Sequence, residues 1–215
     1  RVEPGMTNVT ADQITPDGIY SPVYMHREWF CEQVGLSDDQ KRFVVIRDLR
    51  DTLVSWYFSM RYSHGDTRSD AAKEKITGFR ELFNTVPQEE GPLAAIADGI
   101  PPVARVQCSW VEAPPGENLL VRYEDLVEDN QARFNEILDF TGLCSNPERR
   151  AAAIKAEAFE RATGRKPGEE DVKSHRRKGI AGDWKNHFTP RVTDAFKEAF
   201  GDVLVKTGYE ADLDW

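Results

Sequence analysis

The apolar positions of this chain follow two periods, and the switches between them outline alternating elements. In "KRFVVIRD" the residues Phe43 to Ile46 form an unbroken, largely β-branched run. A run of that length predicts a strand buried on both faces. Directly after it, Leu49, Leu53, Trp56, Tyr57 and Met60 recur at helical spacing and predict a helix packed on that strand. The pattern repeats downstream. Leu119 to Val121 predict a second short strand, and "NQARFNEILDFTGL" predicts a helix with Phe134, Ile137 and Leu138 inward and Gly142 at its left-handed end. Towards the end, Val192, Ala195, Phe196, Ala199, Phe200, Val203 and Leu204 make an apolar stripe, with Thr189 as N-cap, Pro190 in the first turn and Gly208 as the stop. The region from Asp66 to Gly99 reads as helical but broken by Gly78, Pro87, Gly91 and Pro92, and "GIPPVARV" reads as a loop. Strand then helix, twice, predicts an α/β fold: a three-layer domain with a central parallel sheet flanked by helices.

Composition narrows this picture. At 215 residues, with 40% hydrophobic and 30% charged residues, the chain reads as one soluble globular domain. No apolar run approaches the roughly 18 residues that span a bilayer, and the polar start predicts no signal peptide and no membrane partner. Cys31, Cys108 and Cys144 lack metal-ligand spacing and read as reduced, buried structural thiols, which predicts a cytoplasmic protein. A formal net charge of −9 argues against a nucleic-acid binder.

Against that acidic background, "RRKGIAGDWKNHFTP" gathers Arg176, Arg177, Lys178 and Lys185 around two glycines. Such a loop is either a solvated turn or a seat for an anion, with glycines letting backbone N–H groups close on oxygens. In open parallel sheets ligands bind beyond the carboxyl ends of the strands. Arg47 closes the first strand just before a helix begins, where a guanidinium and helix N–H groups would meet an anion together. Ser55 lies off the apolar stripe of that helix and can offer its hydroxyl. Tyr123 closes the second strand, followed by Glu124 and Asp125. Structural alternatives stand beside both: a salt bridge from Arg47 to Asp48 or Asp51, and a core role for Tyr123.

Three of these segments carry a family resemblance. "RDLRDTLVSWY" resembles the RDPRDxxVSxY signature of sulfotransferases that use 3′-phosphoadenosine 5′-phosphosulfate (PAPS). "VRYEDL" is similar to that family's YEDL strand end, and "RRKGIAGDWKNHFT" to its RKGxxGDWKNxFT loop. The likeness runs from about Pro22 to Trp215. It implies a P-loop NTPase-like sulfotransferase fold in which Arg47, Ser55, Arg177, Lys178 and Gly179 bind the donor's 3′-phosphate. Gly182 and Trp184 then shape the loop. Tyr123 and Phe159 stand where the family sets contacts to adenine, although Phe159 also reads as a helix-face core residue. His26, in "VYMHREW", matches the place of the catalytic base, while His64, His175 and His187 read as surface or capping residues.

The implied reaction moves the sulfuryl group of PAPS to a hydroxyl or amine of a small-molecule, glycan or peptide acceptor, leaving 3′-phosphoadenosine 5′-phosphate (PAP). Transfer is in-line, helped by positioning and charge, and no metal is called for. His26 would take the acceptor proton. Nothing in the chain resembles the family's PKSGTTWL turn for the 5′-phosphosulfate. Tyr24 stands where a lysine often precedes the histidine, and Leu49 replaces the proline of RDPRD. The expectation is one sulfotransferase domain over residues 1–215, N-terminally incomplete and with an incomplete transfer centre. Two rival readings are a non-catalytic 3′-phosphoadenosine nucleotide-binding relative and a nucleotide kinase, which should carry GxxxxGK[ST].

Overall fold

Parallel strand pairing brings the two predicted β segments side by side. The computed structural model describes residues 2–3, 10–14, 18–20, 23–37, 40–64, 70–143 and 146–215; Pro22, Asp66 and Cys144 lie outside them. Val2–Glu3 (β1) pairs in parallel with Ile19–Tyr20 (β2). Arg27–Gln33 forms α1. Phe43–Ile46 (β3) pairs in parallel with Leu119–Arg122 (β4), in a register that sets Phe43 beside Leu119 and Ile46 beside Arg122. Between those strands run Leu49–Phe58 (α2), Asp70–Thr85 (α3), Glu90–Ala94 (α4) and Pro101–Val111 (α5). After β4 come Tyr123–Glu128 (α6), Asn130–Thr141 (α7), Pro147–Glu157 (α8), Phe159–Thr163 (α9) and Pro190–Lys206 (α10). The fold is α/β, a parallel sheet flanked by helices.

The helix ends follow local chemistry. Asp48 caps α2 by accepting from the Arg50 amide at 2.9 Å, and Thr189 caps α10 by accepting from that of Val192 at 3.3 Å. Gly142 closes α7 with φ +69°, a left-handed conformation open to glycine at little strain.

Three expectations about the elements change. "GIPPVARV" is not a loop but the start of α5, because Pro101 and Pro102 occupy the first turn, where a missing N–H leaves no bond unmade. Gly78 lies inside α3 and does not break it, whereas Gly91 and Pro92 lie inside α4. Gly91 and Gly99 serve packing: a Cβ on either would meet the ring of Tyr57 or Trp56 at 2.4 Å. Phe134 faces outward on α7, leaving Ile137 as that helix's buried contact.

The strands also differ from the reading of a sheet buried on both faces. Among the described residues β3 and β4 form a sheet two strands wide, and Phe43, Val45 and Leu120 are exposed on it. Parallel strands normally lie under helices on both sides, so this sheet is only half covered. The main core lies beside it, between α2, α3, α5 and α10. Phe83, Phe196, Leu53, Ile100 and Leu204 are fully buried there. Each such side chain contributes about 1.5–3 kcal/mol by leaving water. That core holds α2 rigidly, and with it the first turn that faces the strand ends.

Candidate functional site

The carboxyl ends of β3 and β4 deliver Arg47 and Tyr123 to one place. The Arg47 guanidinium lies 4.5 Å from the centre of the Tyr123 ring, a cation–π contact. Its backbone N–H donates to Gln107 Oε1 on α5 at 3.3 Å. Neither Asp48 nor Asp51 pairs with it, because each is committed elsewhere. Asp48 takes bonds from the Arg50 side chain, and Asp51 takes the amides of Gly182 and Trp184 at 2.6 and 2.8 Å. Among the described residues the Arg47 guanidinium has no carboxylate partner, and its buried Nε has no hydrogen-bond acceptor. Tyr123 opens α6 and does not belong to the main core. Ser55, half-buried on α2, has no side-chain hydrogen bond among the described residues.

The Gly-rich loop is bolted to the first turn of α2. Besides the two amides on Asp51, the Arg50 guanidinium is sandwiched between Trp184 at 4.1 Å and Trp215 at 4.6 Å. Gly182 adopts φ +78°, which turns its N–H onto Asp51. Gly179 is left-handed as well, and a Cβ there would meet the Phe159 ring at 2.5 Å. Phe159, at the start of α9, therefore packs on the loop and not in the main core. Arg165 lies 5.3 Å from that ring and donates to the carbonyls of Arg176 and Arg177, which fixes the loop's entry.

Of the loop cations, Arg177 and Lys178 are drawn inward while Arg176 and Lys185 are exposed. Arg177 is buried, lies 4.5 Å from the Phe58 ring centre, and is paired with Glu170 and Asp183. Asp183 is itself buried and accepts from Arg177 at 2.5 Å, Lys178 at 2.7 Å and Asn186 at 2.9 Å, with His187 Nε2 at 3.2 Å. Burial alone would raise the Asp183 pKa. The hydrogen bonds from Lys178, Asn186 and Arg177 outweigh it and hold the carboxyl well below the usual range. His187 caps the short 3₁₀ turn Asp183–Asn186, its amide donating to the Trp184 carbonyl, and its ring is also tied to that buried carboxylate. The side-chain ligand atoms of Glu170, Asp183 and His187 also lie within 4.8 Å of one another, a grouping the sequence spacing did not suggest. The two carboxylates already face Arg177 there.

His26 is the N-cap residue of α1 and is half-buried, with no cap bond from its side chain. Its segment is pinned to α5: Trp110 Nε1 donates to the Met25 carbonyl at 2.8 Å, and the Arg27 amide to Ser109 Oγ at 3.0 Å. No hydrogen bond, ion pair or ring contact among the described residues joins His26 to Arg47 or to the loop. His64 is half-buried beside His175, ring centres 5.8 Å apart, and burial chiefly lowers its pKa. Cys31 and Cys108 are half-buried rather than buried thiols.

The structure thus makes two groups of the predicted residues, Arg47 with Tyr123 and Arg177, Lys178 and Gly179 with Phe159, and α2 bridges them. The roles missed in sequence are those of Asp51 and Asp183, which organise the loop group. Each sits inside a quoted motif as an acid among cations, and that was the available signal.

Known proteins similar to this chain identify its family. A family model described as sulfotransferase domain matches residues 28–208. A 3-alpha-hydroxysteroid sulfotransferase of Cavia porcellus is 30% identical over 194 residues, covering 82% of this chain and 60% of that protein. Sulfotransferase 2A6 of Mus musculus is 32% identical over 179 residues, covering 79% and 58% respectively. The chain thus spans about three fifths of the length of these relatives. The crystal structure of mouse sulfotransferase SULT7A1 complexed with PAP superposes with a TM-score of 0.60 at 22% identity, covering 86% of this chain and 65% of that one, a likeness of fold. Among the described residues no helix is long and apolar enough to cross a membrane. With most of its length matched by the domain's own model, the chain belongs to the sulfotransferase domain family.

Proposed function

We propose that this chain binds the 3′-phosphoadenosine end of PAPS and belongs to a cytoplasmic enzyme that transfers the sulfuryl group to a hydroxyl or amine of an acceptor. One observation carries the reading. A guanidinium at the carboxyl end of a parallel strand, beside a helix N-terminus, keeps a buried N–H without an acceptor. An unsatisfied buried donor costs about 1–3 kcal/mol, which an anion bound at this strand end would recover.

The residues fit the adenosine 3′-phosphate. Arg47 supplies charge-assisted hydrogen bonds, Ser55 a hydroxyl, and Gly179 a backbone N–H without a side chain of its own. Tyr123 and Phe159 offer flat faces to the adenine. Arg177 and Lys178 bring positive charge on the loop that α2 holds. The donor, when bound, supplies the sulfuryl group and a phosphoadenosine leaving group. His26 accepts the acceptor's proton at a ring nitrogen, a task suited to a neutral imidazole near pH 7.

Calorimetry on the chain with PAP, adenosine 5′-phosphosulfate and ATP tests the binding. PAP should bind tightest, and equal affinity for all three would end the 3′-phosphate reading. Turnover of radiolabelled PAPS by the whole protein tests the chemistry. His26→Ala should leave PAP affinity intact and lower turnover by about 10²-fold or more. Unchanged turnover would remove His26 from the mechanism.

A further inference from the structure

The Arg177 guanidinium is engaged on two sides by carboxylates of very different character. Asp183 is buried and held by Lys178, Asn186 and His187 as well as by Arg177, so it is a fixed part of the loop. Glu170 has a side chain 34% exposed and, among the described residues, makes one ion pair, to Arg177 Nη1. It belongs to the same loop, whose Asp171 amide donates to the Arg177 carbonyl at 2.9 Å and whose Gly168 amide donates to that of Lys178 at 2.8 Å. Glu170 therefore presents a partly solvated carboxylate to the edge of Arg177 that Asp183 leaves open. A carboxylate and a phosphate ask the same thing of a guanidinium, paired oxygens in the plane of its N–H groups.

Resting on the PAPS reading, we propose that Glu170 is an internal competitor for the donor's 3′-phosphate. It occupies the open edge of Arg177, must be displaced when the nucleotide binds, and so sets the nucleotide's affinity. Asp183 stays in place through the exchange and keeps Arg177 and Lys178 aligned. The two carboxylates thus have opposite effects on binding: removing Asp183 disorders the cations, and removing Glu170 frees one of them. Before displacement Glu170 also neutralises Arg177, which keeps a buried guanidinium from standing uncompensated.

The test compares the wild-type chain with Glu170→Gln, which keeps the shape and one accepting oxygen while removing the charge. PAP and adenosine 5′-phosphosulfate serve as ligands in calorimetry, and melting temperature serves as the check on folding. For PAP, Glu170→Gln should bind about fivefold tighter, the scale of a partly exposed ion pair. Adenosine 5′-phosphosulfate, lacking the 3′-phosphate, should be unaffected. Unchanged or weaker PAP binding would overturn the proposal, since Glu170 would then hold Arg177 in its ligand-binding pose. Equal tightening of both ligands would overturn it too, by making the effect a general one of charge. If the wild type does not prefer PAP to adenosine 5′-phosphosulfate, the 3′-phosphate reading fails first and this inference with it.

Discussion

Arg47 and Arg177 are both arginines laid on an aromatic ring, Tyr123 and Phe58, each at 4.5 Å. They differ in what faces their N–H groups. Arg177 is buried against two carboxylates. Arg47 has no carboxylate among the described residues and keeps a buried Nε unbonded. Cations that look alike in sequence therefore do different work. Arg177 and Lys178 are part of a charged knot that gives the Gly-rich loop its shape, and Arg47 is held open by neighbours that have other bonds to make. The loop's charge is balanced from within, and the strand end's charge is not.

The sharpest way to break this contrast is to remove the knot's centre. Asp183→Ala leaves Arg177 buried without its buried counter-charge and should destabilise the protein by about 3 kcal/mol or more, read from denaturant midpoints. A loss within experimental error would mean that the pairs are incidental. Arg47→Ala should do the reverse. Its effect on melting should be small, because no partner is orphaned, while PAP binding should weaken by about 2 kcal/mol. If Arg47→Ala unfolds the chain and Asp183→Ala does not, the two roles have been assigned the wrong way round. Gly179→Ala tests how the knot meets the candidate adenine contact. A methyl at φ +66° against the Phe159 ring should cost about 1–2 kcal/mol and weaken PAP further. The double variant Gly179→Ala, Phe159→Ala should recover part of the stability, and no recovery would mean that the backbone alone carries the strain.

The smallest effect is one of pH. The Asp183 carboxyl is depressed in the folded protein by its hydrogen bonds. Its stabilising contribution is therefore full above the unfolded value, near 3.9, and declines as pH falls toward the lower folded value. Urea midpoints of the wild type should drop on acidification below about pH 4 more steeply than those of Asp183→Asn. Parallel curves would show that the knot does not depend on that charge.

How much of this was legible along the chain depends on range. The helix starting after Arg47, its stripe of Leu49, Leu53 and Tyr57, and the caps Thr189 and Gly142 are consequences of neighbours, and they appear as read. The misread pieces were those where a local signal has two uses. Pro101 and Pro102 can end one element or begin another, and here they begin α5. Gly91 can break a helix or admit a ring, and here the Tyr57 ring fills the space. Phe43 and Val45 read as doubly buried because an apolar run does not say how many layers cover it. In the site, residue types and order were legible from motifs, but the partners were not. Nothing local says that Asp51 would turn from Arg47 to the amides of Gly182 and Trp184.

By itself the amino-acid order determined the α/β class, the parallel pairing of two short strands, and which residues carry charge near glycine. These follow from periodicity, caps and backbone freedom, all set within a few residues. Only the tertiary structure decided which cation is spoken for. Asp51 and Gly182 stand 131 positions apart and meet at 2.6 Å because the core packs α2 against the loop. Once that acid and Asp48 are committed, Arg47 is left without a carboxylate among the described residues. Ion pairing is a contest between all the partners that folding brings within reach, and its outcome depends on distance and burial, which no stretch of sequence contains.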